Sequence, residues 1–240
     1  MRQRTAPCFV SVPAVALVLF GLISALGVCS AQDLSLKFQS EFWYGDIDYD
    51  PPESRTRDGD ISLLSQRLDI GFPGKDLGGM WNGTGSDTTL GFKVALGIEE
   101  YAQGNHTDIQ QYRVELRRQF YSSQQPWDSE RGHPCHSFGL GFNFWNNDYS
   151  SNNDSNEEFG PTILFGAQTD TGNLRATFDL VWQPVDLGDS GEFEFYELDG
   201  SLVRDFRRFD IELGYRMKNY YESRDDYLYH GPFIRGGFNF

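Results

Sequence analysis

From Leu34 to Phe240 the chain alternates apolar and polar residues with a period of two, and no stretch carries a helical stripe of useful length. Successive side chains of a strand point to opposite faces, so this pattern predicts strands with one apolar and one polar face. Ten segments are read this way: 34–46, 61–72, 88–100, 109–121, 136–146, 159–168, 173–184, 192–203, 208–219 and 227–240. In the first, Leu36, Phe38, Phe42 and Tyr44 oppose Lys37, Gln39, Glu41 and Trp43. In the ninth, Phe209, Ile211, Leu213, Tyr215 and Met217 oppose Asp210, Glu212, Gly214, Arg216 and Lys218. The eighth has two phases. Phe193 and Phe195 fit one, Tyr196, Leu198 and Leu202 the other, and the conflict predicts a bulge.

Alternation alone does not say which face meets water. A soluble sandwich or barrel buries its apolar face, whereas a transmembrane barrel turns that face to lipid and fills its lumen with polar groups. Segments of about 10–13 residues suit a tilted membrane crossing, since soluble strands average about 5–6 residues. Aromatic residues near segment ends, such as Tyr44, Phe72, Phe120, Trp182 and Tyr215, fit interfacial girdles. The fold class expected is all-β: an antiparallel transmembrane up-and-down β-barrel of about 10 strands (8–12) after an N-terminal signal peptide.

The polar face carries both signs of charge. Arg67, Asp69, Lys93, Glu99, Arg113, Glu115, Arg117, Asp179, Asp210, Glu212, Arg216 and Arg235 would line the lumen as a charge network. A barrel of this size has a narrow interior filled by side chains, so paired charges there read as a polar core. Connections after odd-numbered segments are acidic or polar, as in 47–60, and those after even-numbered ones hold turn residues such as Gly172-Asn173 and Arg204-Asp205. The connections 73–87 and 122–135 are longer than typical turns at the periplasmic end of such a barrel.

Residues 1–31 differ from the rest. Arg2 and Arg4 precede an apolar run from Phe9 to Leu26, interrupted by Pro13, and small residues lead to Ala31. This is the anatomy of a cleaved secretory signal peptide, which leaves 32–240 as the barrel domain. A retained anchor, or lipid attachment at Cys29 after Leu26-Gly27-Val28, are the rival readings. Cys8 and Cys29 lie in the signal, so Cys135 has no intrachain disulfide partner.

Composition then narrows the function classes. The 240 residues include 20 Lys+Arg against 35 Asp+Glu, a net charge of −15, with 15% aromatics. Mean hydropathy is −0.50, which excludes a helical membrane bundle, while the aromatic content argues against an acidic disordered chain. The acidic balance argues against a nucleic-acid partner. Sorting of charge and apolar groups onto opposite faces reconciles a negative hydropathy with a membrane-facing band.

Candidate chemistry is sparse. His133, Cys135 and His136 have no second cluster to complete a zinc site. Asp46, Asp48 and Asp50 alternate, but Pro51 and Arg57 break an EF-hand pattern, leaving a solvated acidic loop as the reading. Omptin-like proteases use paired carboxylates with Asp-x-His, and this chain has only the reverse order at His106-Thr107-Asp108. Outer-membrane lipid deacylases use His-x-Ser, and Pro232 stands two residues after His230. Asn82, Asn105 and Asn153 begin glycosylation-type triplets, which by themselves assign no function. The chain reads as neither an enzyme nor a cofactor binder.

The stretch from Tyr229 to Phe240, ending Ile234-Arg235-Gly236-Gly237-Phe238-Asn239-Phe240, resembles the last strand of small Gram-negative outer-membrane barrels. The resemblance implies that Phe238 and Phe240 form the signal read by the barrel-assembly machinery, with the glycine position displaced by one. It also implies an outer-membrane location after export by the signal peptide, with membrane lipid and lipopolysaccharide as surroundings. The role expected is structural or surface-interacting, around a mostly plugged lumen. The alternatives are a small charged-lumen pore for ions or solutes, and a soluble or lipid-anchored periplasmic barrel that binds an apolar ligand. Such barrels are functionally diverse, so ligand and process stay open.

Overall fold

The period-two segments form ten strands that close into one antiparallel barrel. The computed structural model describes residues 35–50, 59–72, 86–101, 106–121, 135–149, 154–170, 174–188, 193–206, 208–222 and 225–240. The strands are β1 (Ser35–Asp50), β2 (Gly59–Phe72), β3 (Ser86–Tyr101), β4 (His106–Tyr121), β5 (Cys135–Tyr149), β6 (Asp154–Asp170), β7 (Arg175–Gln183), β8 (Phe193–Phe206), β9 (Phe209–Glu222) and β10 (Asp225–Asn239). Each pairs with its sequence neighbours, and β1 pairs with β10 to complete the ring, from Lys37↔Asn239 to Asp50↔Asp226. Closure removes the two free edges an open sheet would have, although β7 is short and pairs with only residues 163–170 of β6. The signal segment and its cleavage point lie outside the described residues, as do most of the connections.

Three expectations need correction. β8 has no bulge: it pairs continuously with β9 from Phe193↔Glu222 to Phe206↔Phe209. Both of its faces are apolar in part, because Phe195 points into the lumen and Leu202 points out at 56% exposure. Arg204 and Asp205 are not a turn, since β8 runs through them to Phe206. Asp46 and Asp48 are outward-facing strand residues rather than loop residues, since β1 extends to Asp50.

The two faces are sorted as alternation requires. On β9, Phe209, Ile211, Leu213, Tyr215 and Met217 point outward and are 39–59% exposed, while Asp210, Glu212, Arg216 and Lys218 between them are buried. The same inversion holds on β1, where Phe38 and Phe42 flank the buried Glu41. Eight residue steps span about 26 Å of strand, or about 20 Å of height at the usual barrel tilt. That approaches the apolar band of a membrane barrel, about 25 Å.

Candidate functional site

The inward positions divide the lumen at mid-height. The end that holds Ser35 and Phe240 is called the lower end. Its inward side chains are charged: Lys37 and Glu41 on β1, Arg67 and Asp69 on β2, Lys93 on β3, Arg113, Glu115 and Arg117 on β4, Asp179 on β7, Glu197 and Asp199 on β8, Asp210, Glu212 and Arg216 on β9, and Arg235 on β10. Farther along the same strands the inward positions turn apolar. Trp43, Ile47, Ile61, Leu63, Ile109, Trp145, Leu164, Val181, Phe195, Tyr220, Tyr229 and Phe233 make one buried cluster.

Arg216 is the hub of the charged half and is fully buried. Its guanidinium donates to Asp199 at 2.7 and 2.6 Å and to Glu41 at 2.6 and 2.9 Å, two forked pairs that use its planar geometry. Arg235 reaches the same Glu41 at 2.9 and 2.5 Å and Glu212 at 3.0 and 2.9 Å. Glu197 gathers Arg113 at 3.0 Å, Lys218 at 3.1 Å and Lys93 at 3.8 Å. Arg113 passes the network to Glu115 at 3.4 Å, Glu115 to Arg67 at 2.8 Å and Arg117 at 3.6 Å, and Arg117 to Asp179. These links cross the lumen, because β3 and β4 lie opposite β8 in the ring. Buried charges are tolerable only when so paired, and here each lies beside opposite charge.

Lysine and tryptophan join the two halves. Lys218 Nζ sits 5.0 Å from the ring centres of both Trp43 and Trp145, and Arg216 lies 5.0 Å from Phe233. Lys218 also donates to Gln111 Oε1 at 3.3 Å, Gln111 donates to Asn143 at 2.9 Å, and Asn143 to Gln183 at 3.1 Å. This amide chain lines the wall between the charged and aromatic layers. Trp145, Phe195 and Tyr220 pack with ring centres 4.9–6.3 Å apart, and Tyr220 meets Tyr229 at 5.1 Å.

Of the residues expected in the lumen network, ten occupy it: Arg67, Asp69, Lys93, Arg113, Glu115, Arg117, Asp179, Glu212, Arg216 and Arg235. Asp210 points inward but pairs with Lys37 at 2.8 Å, at the lower rim. Glu99 is inward and buried in the apolar half, where it accepts from Tyr101 at 2.7 Å and from Tyr229. Glu41, Lys218, Glu197 and Asp199 belong to the network without having been singled out. The first two lie on the predicted inward face, and the last two were hidden by the ambiguous phase of β8. A cavity of about 330 Å³ remains in the charged half and reaches the lower rim at Ser35 and Asn239. Its wall carries both signs, including Arg67, Lys93 and Arg117 against Asp69, Glu115 and Asp179.

The outer surface has its own polar set in the upper part of the apolar belt. Tyr44 bonds Asp60, Trp182 donates to Glu194 at 2.9 Å, and Asn219 donates to Tyr196 at 2.9 Å. Tyr215 Oη lies 2.8 Å from His230 Nδ1, and His230 Nε2 lies 3.1 Å from Asp48 Oδ2. The lower end of the belt carries phenylalanine instead, with Phe206 stacked on Phe209 at 4.7 Å and Phe209 beside Phe238 at 6.3 Å. Cys135 is buried and its neighbour His136 is exposed, so they face opposite sides of β5, and His133 lies outside the described residues. Among the described residues no three His, Cys, Asp or Glu side chains converge as a metal site.

No protein-family model matches the sequence, and no curated protein matches it. Solved structures do. The transport unit of the autotransporter AIDA-I from Escherichia coli aligns at a TM-score of 0.51 and 10% identity, over 94% of this chain and 96% of that one. The translocator domain of the autotransporter NalP from Neisseria meningitidis aligns at 0.41 and 13%, over 95% and 97%. An outer membrane channel from Pseudomonas putida F1 aligns at 0.41 and 8%, over 89% and 100%. The chain thus has the closed, antiparallel ten-strand fold of small outer-membrane barrels.

Proposed function

We propose that the protein is an outer-membrane barrel of a Gram-negative cell envelope, a rigid closed scaffold that presents its loops at the cell surface for interaction. The observation that carries this reading is the inversion of faces: an apolar belt outside, and inside it a lumen crossed by ion pairs below and packed with aromatic rings above. The lumen is this molecule's core, and side chains that reach across it act as a plug against solutes. Lipid and lipopolysaccharide are the natural surroundings of the belt. Phe238 and Phe240, at the end of the closing strand, serve as the assembly signal, after export by the N-terminal segment.

Membrane fractionation with heat-dependent gel mobility tests the location. The expected result is an outer-membrane band that migrates faster unheated than boiled, and recovery as a soluble periplasmic protein would overturn it. Planar-bilayer recording of the same preparation is expected to show no stable channel. A second reading, a narrow pore, draws on the 330 Å³ cavity at the lower rim. Steady unitary conductance in the unmodified protein would favour it.

A further inference from the structure

We propose that Tyr215, His230 and Asp48 form a nucleophilic site on the outer surface of the barrel, directed at acyl esters of membrane lipids. The three residues come from β9, β10 and β1 and meet only because the barrel closes between β10 and β1. Tyr215 Oη lies 2.8 Å from His230 Nδ1, and His230 Nε2 lies 3.1 Å from Asp48 Oδ2. A carboxylate can only accept, so the proposed reactive tautomer carries its proton on Nε2 and leaves Nδ1 to accept from the phenol. A hydroxyl held by an imidazole, itself oriented by a carboxylate, is the arrangement that activates an oxygen nucleophile. The two ring nitrogens are interchanged relative to the serine-protease order, with the same division of labour.

An interfacial tyrosine needs one polar partner for its hydroxyl, and Tyr44 and Tyr196 use a carboxylate and an amide. Tyr215 has a base instead, with an acid behind it. The site is open to the outside: Tyr215 is 49% exposed, and Leu213, Met217 and Ile234 beside it are 59%, 39% and 50% exposed. Those side chains belong to the lipid-facing belt, so acyl chains lying on them bring an ester group to the level of the phenol.

The reaction balances without a cofactor. Tyr215 Oη attacks the ester carbonyl carbon while its proton passes to His230 Nδ1. The carbon–oxygen bond to the alcohol breaks, and the alcohol oxygen takes that proton. Water then attacks the acyl-tyrosine, again giving a proton to His230, and the carboxylic acid leaves as the phenol is reprotonated. Asp48 holds the imidazole in place and offsets its transient positive charge.

The test uses the full chain in detergent micelles, with folding of every variant checked by heat-dependent gel mobility. An aryl sulfonyl fluoride, which modifies activated phenols, is followed by peptide mass spectrometry. Tyr215 is expected to react at least about tenfold faster than Tyr196, and His230→Ala or Asp48→Asn is expected to remove that advantage. Equal labelling of Tyr215 and Tyr196, or labelling unchanged in His230→Ala, would overturn the site. Fatty-acid release is then measured from vesicles of phosphatidylethanolamine and phosphatidylglycerol, and from vesicles containing lipopolysaccharide. Release from either, lost in Tyr215→Phe and kept in Tyr196→Phe, supports the proposal and identifies the ester source. Release from neither overturns the lipid substrate. The labelling result does not depend on location or on a closed lumen, so its failure is separable from failure of the scaffold reading.

Discussion

The lower and upper halves of the lumen are built on the same ten strands with the same inward alternation, yet they fill their space by different chemistry. Below, Arg216, Glu41, Asp199, Arg113 and Glu197 hold the walls together across the barrel axis. Above, Trp43, Trp145, Phe195 and Tyr220 do so by packing. The charged half is directional: each group has named partners, and losing one strands the others. The apolar half is forgiving in direction but sensitive to volume. Placing the lysine of one layer against the tryptophans of the other makes the boundary itself adhesive.

The contrast can be broken most strongly at the hub. Arg216→Ala leaves Glu41 and Asp199 buried with reduced compensation, and is expected to cost about 3–5 kcal/mol in urea unfolding of the refolded barrel. Adding Glu41→Gln should recover part of that loss, and a double variant no better than Arg216→Ala alone would show that the pair is not the unit of stability. In the upper half, Leu164→Ala removes a fully buried side chain and is expected to cost about 3 kcal/mol, with no dependence on salt. A loss that shrinks as salt rises would mean that the two layers are not independent. The smallest effect belongs at the lower rim. Arg175→Gln breaks the pair with Asp205, which is 53% exposed, and is expected to cost under about 1 kcal/mol and to fade at high ionic strength.

The strands and their inward faces were legible because sterics impose a period of two and because the outer belt and the lumen take opposite polarity at successive positions. β8 resisted, since Phe195 inside and Tyr196, Leu198 and Leu202 outside give it apolar residues on both faces. Only pairing with β9, which sets Phe195 against Tyr220, decides the phase. The division of the lumen was not legible. Trp43 and Trp145 share a predicted face with Glu41 and Asn143, and alternation reports the side of a strand but not the neighbours across an enclosed space. Glu197 meets Arg113 over 84 positions and Glu41 meets Arg216 over 175. The Tyr215–His230–Asp48 chain was hidden for the same reason. A search for His-x-Ser or Asp-x-His looks along one strand, whereas this set runs across three.

The pairing of β1 with β10 has a consequence in time. The first strand of the barrel finds its second partner only in the last, so contacts such as Phe38 with Phe238 close nearly the whole chain into one loop. Contacts of such long sequence separation form late and slowly, because the entropy of the intervening chain is lost before they return anything. Until then β1 offers an open row of unpaired peptide groups. Arg235, carried on that final strand, lies 2.5 Å from Glu41 on the first, so the ring ends its assembly on an ionic latch. A chain shortened at its C-terminus would therefore lose the step that makes the other nine strands a vessel rather than a curled sheet.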